Sequence, residues 1–218
     1  MPTNEKTQVI IQKFEDIHTP ELENGAIYND DYDGFHQDYL ITHCLIKKYQ
    51  PKKICEIGTH FGLGTYIIKN ASGQDSNLFS LDLKPEQRHL SEQWPGNIGH
   101  KCKLPFTQLW GDSKEFDFTS LHPFDAFYCD AEHTYENVLI ETKKMIDSDA
   151  WLIIYHDSDI DGVYKGIIDG FNEKKKTNKQ KHILFRVIDT RIMYALSRAK
   201  FEEFYGKEKL NEILKSLK

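Results

Sequence analysis

The stretch that most constrains the fold is residues 52–65, KKICEIGTHFGLGT. An apolar run over residues 54–57 stops at Gly58, further glycines follow at once, and an apolar pattern with helical spacing begins at Tyr66. Because glycine adopts positive φ and has no Cβ, a glycine-rich turn between a strand and a helix lets a ligand approach the backbone closely. The pattern predicts an α/β protein with a cofactor-binding turn.

The glycine spacing differs from that of the dinucleotide-binding fingerprint. The chain reads G-x-x-x-G-x-G from Gly58, not G-x-G-x-x-G, which disfavours a pyrophosphate on the helix N-terminus. Glu56 lies in the first strand, and a second apolar strand ends in Asp82, which follows Gly58 by 24 positions. An acid near that distance is suited to bind ribose hydroxyls. We therefore expect a nucleoside ligand that is not a dinucleotide.

Composition excludes several classes of protein. The chain has 218 residues, which fits one domain with a substantial core, and its formal net charge of −6 disfavours bulk binding to nucleic acid. No apolar run approaches the ~20 residues of a membrane helix, and the N-terminus lacks the layout of a signal peptide. The cysteines have no C-x-x-C spacing, which disfavours a zinc site. Cys55 and Cys129 lie within apolar runs and are predicted to be buried thiols in a reducing cytoplasm, not part of a disulfide framework. The four cysteines are Cys44, Cys55, Cys102 and Cys129.

A rhythm of strands and helices predicts a Rossmann-like, doubly wound, mostly parallel sheet covered on both faces. The last two of the seven predicted strands are separated only by Asp189 and Thr190, a link that permits a hairpin but no parallel crossover, so the last strand is antiparallel. We predict strands near 53–57, 77–82, 107–110, 124–129, 150–155, 183–188 and 191–197. We predict helices near 36–49, 63–70, 85–93, 113–117, 135–147, 162–174 and 201–218.

The predicted organisation is a single domain over residues 1–218. Residues 1–35, with an apolar patch at 9–11 and a Tyr-bearing acidic loop at 28–35, are expected to cap the site. Residues 36–200 form the Rossmann-like core, and residues 201–218 form a C-terminal helix. The apolar patch also suggests a homodimer.

Acids and histidines follow the predicted strands at their carboxyl ends, where parallel sheets bind ligands. For each acid alone, the alternative is a helix N-cap, and for each histidine it is an ordered hydrogen bonder. Histidine is also a candidate base because it titrates near neutral pH. These residues are Glu56, Gly58, Asp82, Gly111, Asp112, Ser113, Asp130, Glu132, His133, His156 and Asp157.

Five segments in this order resemble the class I S-adenosylmethionine-dependent methyltransferases. They are EIGTHFGLGT, LFSLDL, WGDSKEF, FDAFYCDAEHTYENVLIET and WLIIYHDSDIDGV. Within that class they resemble methyltransferase family 24, bacterial O-methyltransferases of small molecules and sugars. The resemblance runs from about residue 36 to residue 162, and D-x-x-H-x-Y (Asp130, His133, Tyr135) followed by H-D (His156, Asp157) is its most specific part.

The resemblance implies S-adenosylmethionine as cofactor and assigns site roles. Its cofactor-binding residues are Glu56, Gly58, Thr59 and Gly62 around the methionine part, Asp82 at the ribose, Asp112 and Ser113 at the adenine, and Asp130. Its catalytic residues are Asp130, His133 and His156. Its metal ligands are Asp130, His156 and Asp157, for Mg²⁺ or Mn²⁺. His156 stands where some relatives carry an acid, so the need for a metal stays open.

The resulting prediction is a cytoplasmic enzyme that transfers a methyl group to a hydroxyl of a sugar or phenol, with neither nucleic acid nor membrane as partner. One alternative is an oxidoreductase that binds NAD or a nucleotide sugar, which the glycine spacing and the final hairpin disfavour. A second is a methyltransferase-like module that binds the cofactor without catalysis, because fold alone does not establish chemistry.

Overall fold

The structure is a computed structural model that describes residues 7–26, 36–87 and 102–217, with the side chain of His36 excepted. Its strands are β1 (Val9–Gln12), β2 (Lys53–Ile57), β3 (Asn77–Asp82), β4 (Thr107–Trp110), β5 (Ala126–Cys129), β6 (Leu152–Tyr155), β7 (Ile183–Val187) and β8 (Met193–Leu196). Its helices are α1 (Pro20–Glu23), α2 (His36–Tyr49), α3 (Leu63–Ser72), α4 (Tyr135–Asp147), α5 (Asp161–Lys174) and α6 (Arg198–Ser216).

The strands of the described ranges form one sheet of eight in the order β1-β7-β8-β6-β5-β2-β3-β4. All neighbouring pairs are parallel except β8, which is antiparallel to both β6 and β7. Every residue of β5 and β6 is buried, as strands covered on both faces require. The predicted α/β class, the mostly parallel sheet and the antiparallel last strand are confirmed.

The prediction of seven strands is wrong by one. Residues of the apolar patch, assigned to a cap over the site, form β1, which extends the sheet by pairing in parallel with β7. The sheet pleat explains the pattern: Ile10 packs on one face and Val9 on the other, whereas Ile11 is 59% exposed. The acidic loop predicted at 28–35 lies outside the described residues, and the described chain does not test the proposed cap.

Two predicted helices differ from the structure. Only Pro85–Gln87 of the helix expected at 85–93 is described as helical, as a 3₁₀ turn, and residues 88–101 lie outside the described ranges. The helix predicted at 113–117 is wrong. These residues form a turn, and a 3₁₀ helix follows at Phe118–Leu121, where the carboxylate of Asp117 accepts the N–H of Thr119 (2.9 Å) and caps it.

The helices cover the two faces of the sheet. Buried side chains of α2, α3 and α6 share one core, and those of α4 and α5 share the other. The four cysteines are buried free thiols, which confirms the prediction made for Cys55 and Cys129. Among the described residues, no helix is both long and apolar enough to cross a membrane.

A close contact joins α4 and α5. A Cβ built on Gly166 meets the Cβ of Val138 at 2.8 Å, and it meets the backbone N of Leu139 and the carbonyl O of Tyr135 at 3.0 Å each. Such distances leave no room for a side chain, so the glycine sets how closely the two helices pack. The spacing matters for function because α4 begins directly after the loop that follows β5.

We expect Gly166→Ala to destabilise the fold by about 1–3 kcal/mol. Overpacking costs that much, and it outweighs the ~1 kcal/mol that alanine gains over glycine in a helix. Urea denaturation followed by circular dichroism measures the change. Lys165→Ala, on the exposed side of the same helix, is the control and is expected to shift stability by less than about 0.5 kcal/mol. Equal stability of Gly166→Ala and the parent protein would contradict this account.

Candidate active site

The centre of the site is the point where β2 and β5 end side by side. The chain passes from β2 outward through β3 to β4 and then crosses to the other side of β2 for β5 and β6, so ligands are expected between the ends of β2 and β5. Gly58 follows β2 with φ of +102°, and a Cβ there would lie 2.0 Å from the carbonyl O of Asp130. Only glycine fits between these strand ends.

The turn after Gly58 is held by a buried polar contact. Gly62 caps the N-terminus of α3 in the left-handed conformation, with φ of +87°. The hydroxyl of Thr59 lies 2.7 Å from that of Ser80 and accepts a hydrogen bond from the side-chain amide of Gln108 (2.9 Å). The predicted cofactor residue Thr59 is therefore buried with its hydroxyl engaged by protein groups, and only its backbone faces the turn.

Glu56 is a fully buried acid beneath the same turn. Its Oε2 accepts hydrogen bonds from the hydroxyls of Ser80 and Thr65, and its Oε1 lies 2.6 Å from the position that a Cβ of Gly64 would occupy. Burial raises the pKa of Glu56 to about 8, because desolvation disfavours the carboxylate. The acid stabilises the turn from below.

Asp82 ends β3 beside this turn, as predicted. Its Oδ2 accepts the backbone N–H of His60 (2.8 Å) and its Oδ1 accepts that of Leu83 (2.7 Å). The carboxylate is thereby fixed at the carboxyl edge of the sheet. This placement is compatible with a ribose-binding role.

Asp112 and Ser113 lie after β4, apart from the other predicted residues. Asp112 Oδ1 accepts the N–H of Lys114 (2.9 Å), and the hydroxyl of Ser113 donates to Oε1 of the buried Glu141 (2.5 Å). Glu141 also accepts from the thiol of Cys129 (3.2 Å). The Ser113 hydroxyl is thus bound to α4. A contact of this loop with adenine would therefore involve the backbone of Ser113 or the side chain of Asp112.

The predicted catalytic residues come together at the ends of β5 and β6. Nδ1 of His156 lies 3.1 Å from Asp157 Oδ2 and 3.5 Å from Asp130 Oδ1. Nε2 of His133 approaches the same two oxygens, at 3.1 and 3.8 Å. His156 is 4% exposed, whereas the side chain of His133 is 40% exposed. The cluster therefore has one buried imidazole and one at its mouth.

Charge shifts the protonation of this cluster. Asp130 and Asp157 raise the pKa of His133 to about 10. Burial would lower the pKa of His156, but contacts with Asp157 and Asp38 and the charge of Asp130 raise it to about 10. Burial likewise opposes ionisation of Asp157, yet the two imidazoles hold the pKa of its carboxyl well below the ordinary range.

The chain was compared with known protein families, curated proteins and solved structures. Residues 55–158, just under half of the chain, match the profile of a family described as a methyltransferase domain, methyltransferase family 24. The resemblance to this family that the sequence predicts is confirmed over these residues. The match spans the glycine turn, Asp82 and the whole His156–Asp157 pair. A search of curated proteins found no match.

Solved structures with this fold include methyltransferases. An O-methyltransferase from Bacillus cereus in complex with SAH is 14% identical, with 84% of this chain and 90% of that chain covered and a TM-score of 0.53. TomG from Streptomyces achromogenes, an O-methyltransferase of tomaymycin synthesis in complex with SAM, is also 14% identical, with coverage of 83% and 90% and a TM-score of 0.52. At such identities the likeness shows the fold alone, which is that of the class I methyltransferases.

MycE, a methyltransferase of mycinamycin biosynthesis, was solved with Mg, SAH and mycinamycin VI. It is 13% identical, with a TM-score of 0.57, and the alignment covers 83% of this chain but 55% of MycE. In this chain three side chains form a group that fits a divalent cation. Asp130, His156 and Asp157 each offer one ligand atom, all within 4.8 Å of one another. Neighbouring ligands of an octahedral ion are about 3 Å apart, close to the 3.1 and 3.5 Å from Nδ1 of His156 to the two carboxylates.

Three further residues of this site were not predicted from the sequence. Asp38 of α2 lies 3.5 Å from Nε2 of His156, and Tyr39 stacks on the same imidazole with ring centroids 5.9 Å apart. Arg191, in the β7–β8 hairpin, donates from its guanidinium to Asp157 Oδ1 (3.1 Å). One signal was available: α2 leads into the start of β2, so its first turn must lie at the carboxyl edge of the sheet.

Glu56→Gln tests the buried acid through the pH dependence of stability. The native pKa of Glu56 is raised above its unfolded value, so the native state binds the extra proton and its stability falls as pH rises from about 4.5 through 8. Replacing the acid removes that loss. The stability of the variant relative to the parent should therefore increase with pH by up to about 1.4 kcal/mol per unit.

Urea denaturation at pH 5, 6.5 and 8 measures this difference, and subtraction cancels groups common to both proteins. Glu136→Gln, at an exposed position of α4, is the control and should give a difference independent of pH. A pH-independent difference for Glu56→Gln would show that Glu56 is ionised in the native protein.

Proposed function

We propose that this protein is an S-adenosylmethionine-dependent methyltransferase that methylates a hydroxyl of a small molecule. The observation that carries the proposal is the cluster of Asp130, His133, His156 and Asp157, which lies at the carboxyl edge directly beside the Gly58 turn. The match of residues 55–158 to methyltransferase family 24 supports the cofactor. The cluster supports chemistry on an acceptor held next to it.

The cofactor residues support a sulfonium nucleoside spread along the sheet edge. At Gly58 and Gly62 the turn would offer backbone without side chains to the methionine part, Asp82 would accept from the ribose hydroxyls, and Asp112 would face the adenine. Methyl transfer from a sulfonium is a direct displacement with a good leaving group. The protein therefore contributes mainly by aligning the acceptor oxygen, the methyl carbon and the sulfur.

The acceptor hydroxyl must lose its proton as the oxygen–carbon bond forms. We assign His133 as the proton acceptor because its imidazole lies at the mouth of the cluster, whereas His156 is buried. A pKa of about 10 makes neutral His133 a stronger base than free imidazole, and the neutral fraction rises with pH. Asp130, placed between both imidazoles, orients them and is the second candidate for this role.

A divalent cation, if held, would be bound by Asp130, His156 and Asp157. When bound, Mg²⁺ or Mn²⁺ supplies positive charge that lowers the pKa of a coordinated hydroxyl. The donor set of two carboxylates and one imidazole suits either ion. Mycinamycin VI in MycE supports a small molecule as the acceptor class for this chain. A sugar or phenol hydroxyl is the acceptor that the sequence resemblance implies.

Two rival functions predict different binding. An oxidoreductase on this sheet would bind NADH, and a non-catalytic module would bind S-adenosylmethionine without turnover. Isothermal titration with S-adenosylmethionine, S-adenosylhomocysteine and NADH separates the first rival. Transfer of a labelled methyl group to a panel of sugars and phenols then separates the second. Binding of NADH alone would overturn the proposal.

Asp82→Ala is expected to weaken binding of S-adenosylhomocysteine about 10- to 150-fold. The loss corresponds to about 1.5–3 kcal/mol for hydrogen bonds to a charged acceptor. Calorimetry measures it, with Asp75→Ala, an exposed acid before β3, as the control at parental affinity. Unchanged affinity in Asp82→Ala would show that Asp82 does not bind the ribose hydroxyls.

The effects of Asp130→Asn and of EDTA on the rate of methyl transfer should not be additive. Both remove the same cation, so EDTA should inhibit the parent protein strongly and leave the residual activity of Asp130→Asn unchanged. Initial rates with and without EDTA, restored by Mg²⁺ or Mn²⁺, measure the coupling. Parental activity that is indifferent to EDTA would rule out the metal and leave the imidazoles as the cations of the cluster.

A further inference from the structure

Asp38 is a buried acid that the assigned chemistry does not use. It lies in the first turn of α2 and is 4% exposed. Its Oδ2 lies 3.5 Å from Nε2 of His156, and its Oδ1 accepts the backbone N–H of Arg191 (2.8 Å). A buried carboxylate is retained only where partners compensate its lost hydration. The neighbours of Asp38 here are Nε2 of His156 and the backbone N–H of Arg191 in the β7–β8 hairpin.

The two nitrogens of His156 therefore face different groups. Nε2 lies 3.5 Å from Asp38 Oδ2, whereas Nδ1 lies 3.5 Å from Asp130 Oδ1 and 3.1 Å from Asp157 Oδ2. The ring is also stacked on Tyr39, with an interplanar angle of 20°. Which nitrogen of a histidine is available to a ligand is set by the hydrogen bond that the other nitrogen makes.

We propose that Asp38 is a positioning residue that holds the Nε2–H of His156 and so directs Nδ1 into the cluster with Asp130 and Asp157. The orientation of the ring is a property of the chain alone. Its consequence for cation binding and for methyl transfer rests on the proposed function.

Asp38 is itself fixed by the β7–β8 hairpin. The residue that donates to it, Arg191, also accepts from the N–H and the hydroxyl of Ser158 through its carbonyl oxygen (2.9 and 2.8 Å). The guanidinium of the same residue donates to Asp157 (3.1 Å). Arg191 thus links Asp38 of α2 to Asp157 and Ser158 in the loop after β6, and both carboxylates contact the imidazole of His156.

This arrangement makes Asp38→Asn a selective change. The N–H of Arg191 requires an acceptor, so the amide oxygen of the variant should stay at the Oδ1 position and the amide nitrogen should take the Oδ2 position. An NH₂ group there donates and cannot accept from Nε2–H. Size and the bond to the hairpin are kept, and only the contact with His156 is lost.

The first test observes the ring proton in the unmodified protein. With ¹⁵N-labelled histidine, we expect a slowly exchanging Nε2–H resonance of His156, assigned by its loss in His156→Gln. In Asp38→Asn this resonance should vanish or exchange rapidly. Asp169→Asn, whose carboxylate accepts from the Tyr135 hydroxyl outside the cluster (3.1 Å), should leave it unchanged. Absence of a protected Nε2–H in the parent protein, or its persistence in Asp38→Asn, would overturn the proposal.

The second test measures Mn²⁺ affinity by electron paramagnetic resonance. Loss of a carboxylate that orients a ligating histidine weakens metal binding about 10- to 100-fold. We expect a loss of this size in Asp38→Asn and none in Asp169→Asn, and equal affinity in the two variants would count against positioning. A parent protein that binds S-adenosylhomocysteine but no Mn²⁺ would remove the metal from the proposed function. The ring proton would then decide the role of Asp38 by itself.

Discussion

The contact on which the site depends is the approach of the ends of β2 and β5 at Gly58. The glycine is in van der Waals contact with the backbone of Asp130, and any side chain there would occupy the position of the Asp130 carbonyl, 2.0 Å from a built Cβ. The same contact brings the turn that would cradle a cofactor beside the first carboxylate of the acidic cluster. Because backbone rather than side chains forms this junction, the distance between the two functions is fixed by the sheet itself.

Charge balance is the second constraint. Three carboxylates, those of Asp38, Asp130 and Asp157, converge on the buried ring of His156. They are compensated by two imidazoles and by the guanidinium of Arg191. Like charges this close repel one another unless cations lie between them. The cluster is therefore built to carry positive charge, whether on histidine rings or on a bound ion.

The sequence was informative where structure is local. The buried strands, the glycine turn and the final hairpin could be predicted, because apolar runs, glycine spacing and a short link each determine the adjacent backbone. The apolar patch at residues 9–11 was misassigned, since a strand of four residues at a sheet edge is too short to show alternation. The helix predicted at 113–117 is wrong because a short run of charged residues is compatible both with a loop turn and with a single turn of helix.

The residues of the site divide in the same way. Asp130, His133, His156 and Asp157 follow strands directly, so sheet topology alone places them together. Asp38 and Arg191 are separated by 153 positions in the chain, and their meeting depends on how α2 and the hairpin pack, which no local pattern encodes. The engagement of Ser113 by Glu141 was missed for the same reason.

The β7–β8 hairpin has a consequence beyond closing the sheet. Its strands pair residue by residue up to Arg186 and Met193, and Arg191 lies in the short connection between them. Insertion of one amino acid in that connection would move the guanidinium and the backbone N–H away from Asp157 and Asp38 while leaving every core strand intact. A change in the length of this connection would therefore alter the contacts of Asp38 and Asp157 without destabilising the sheet.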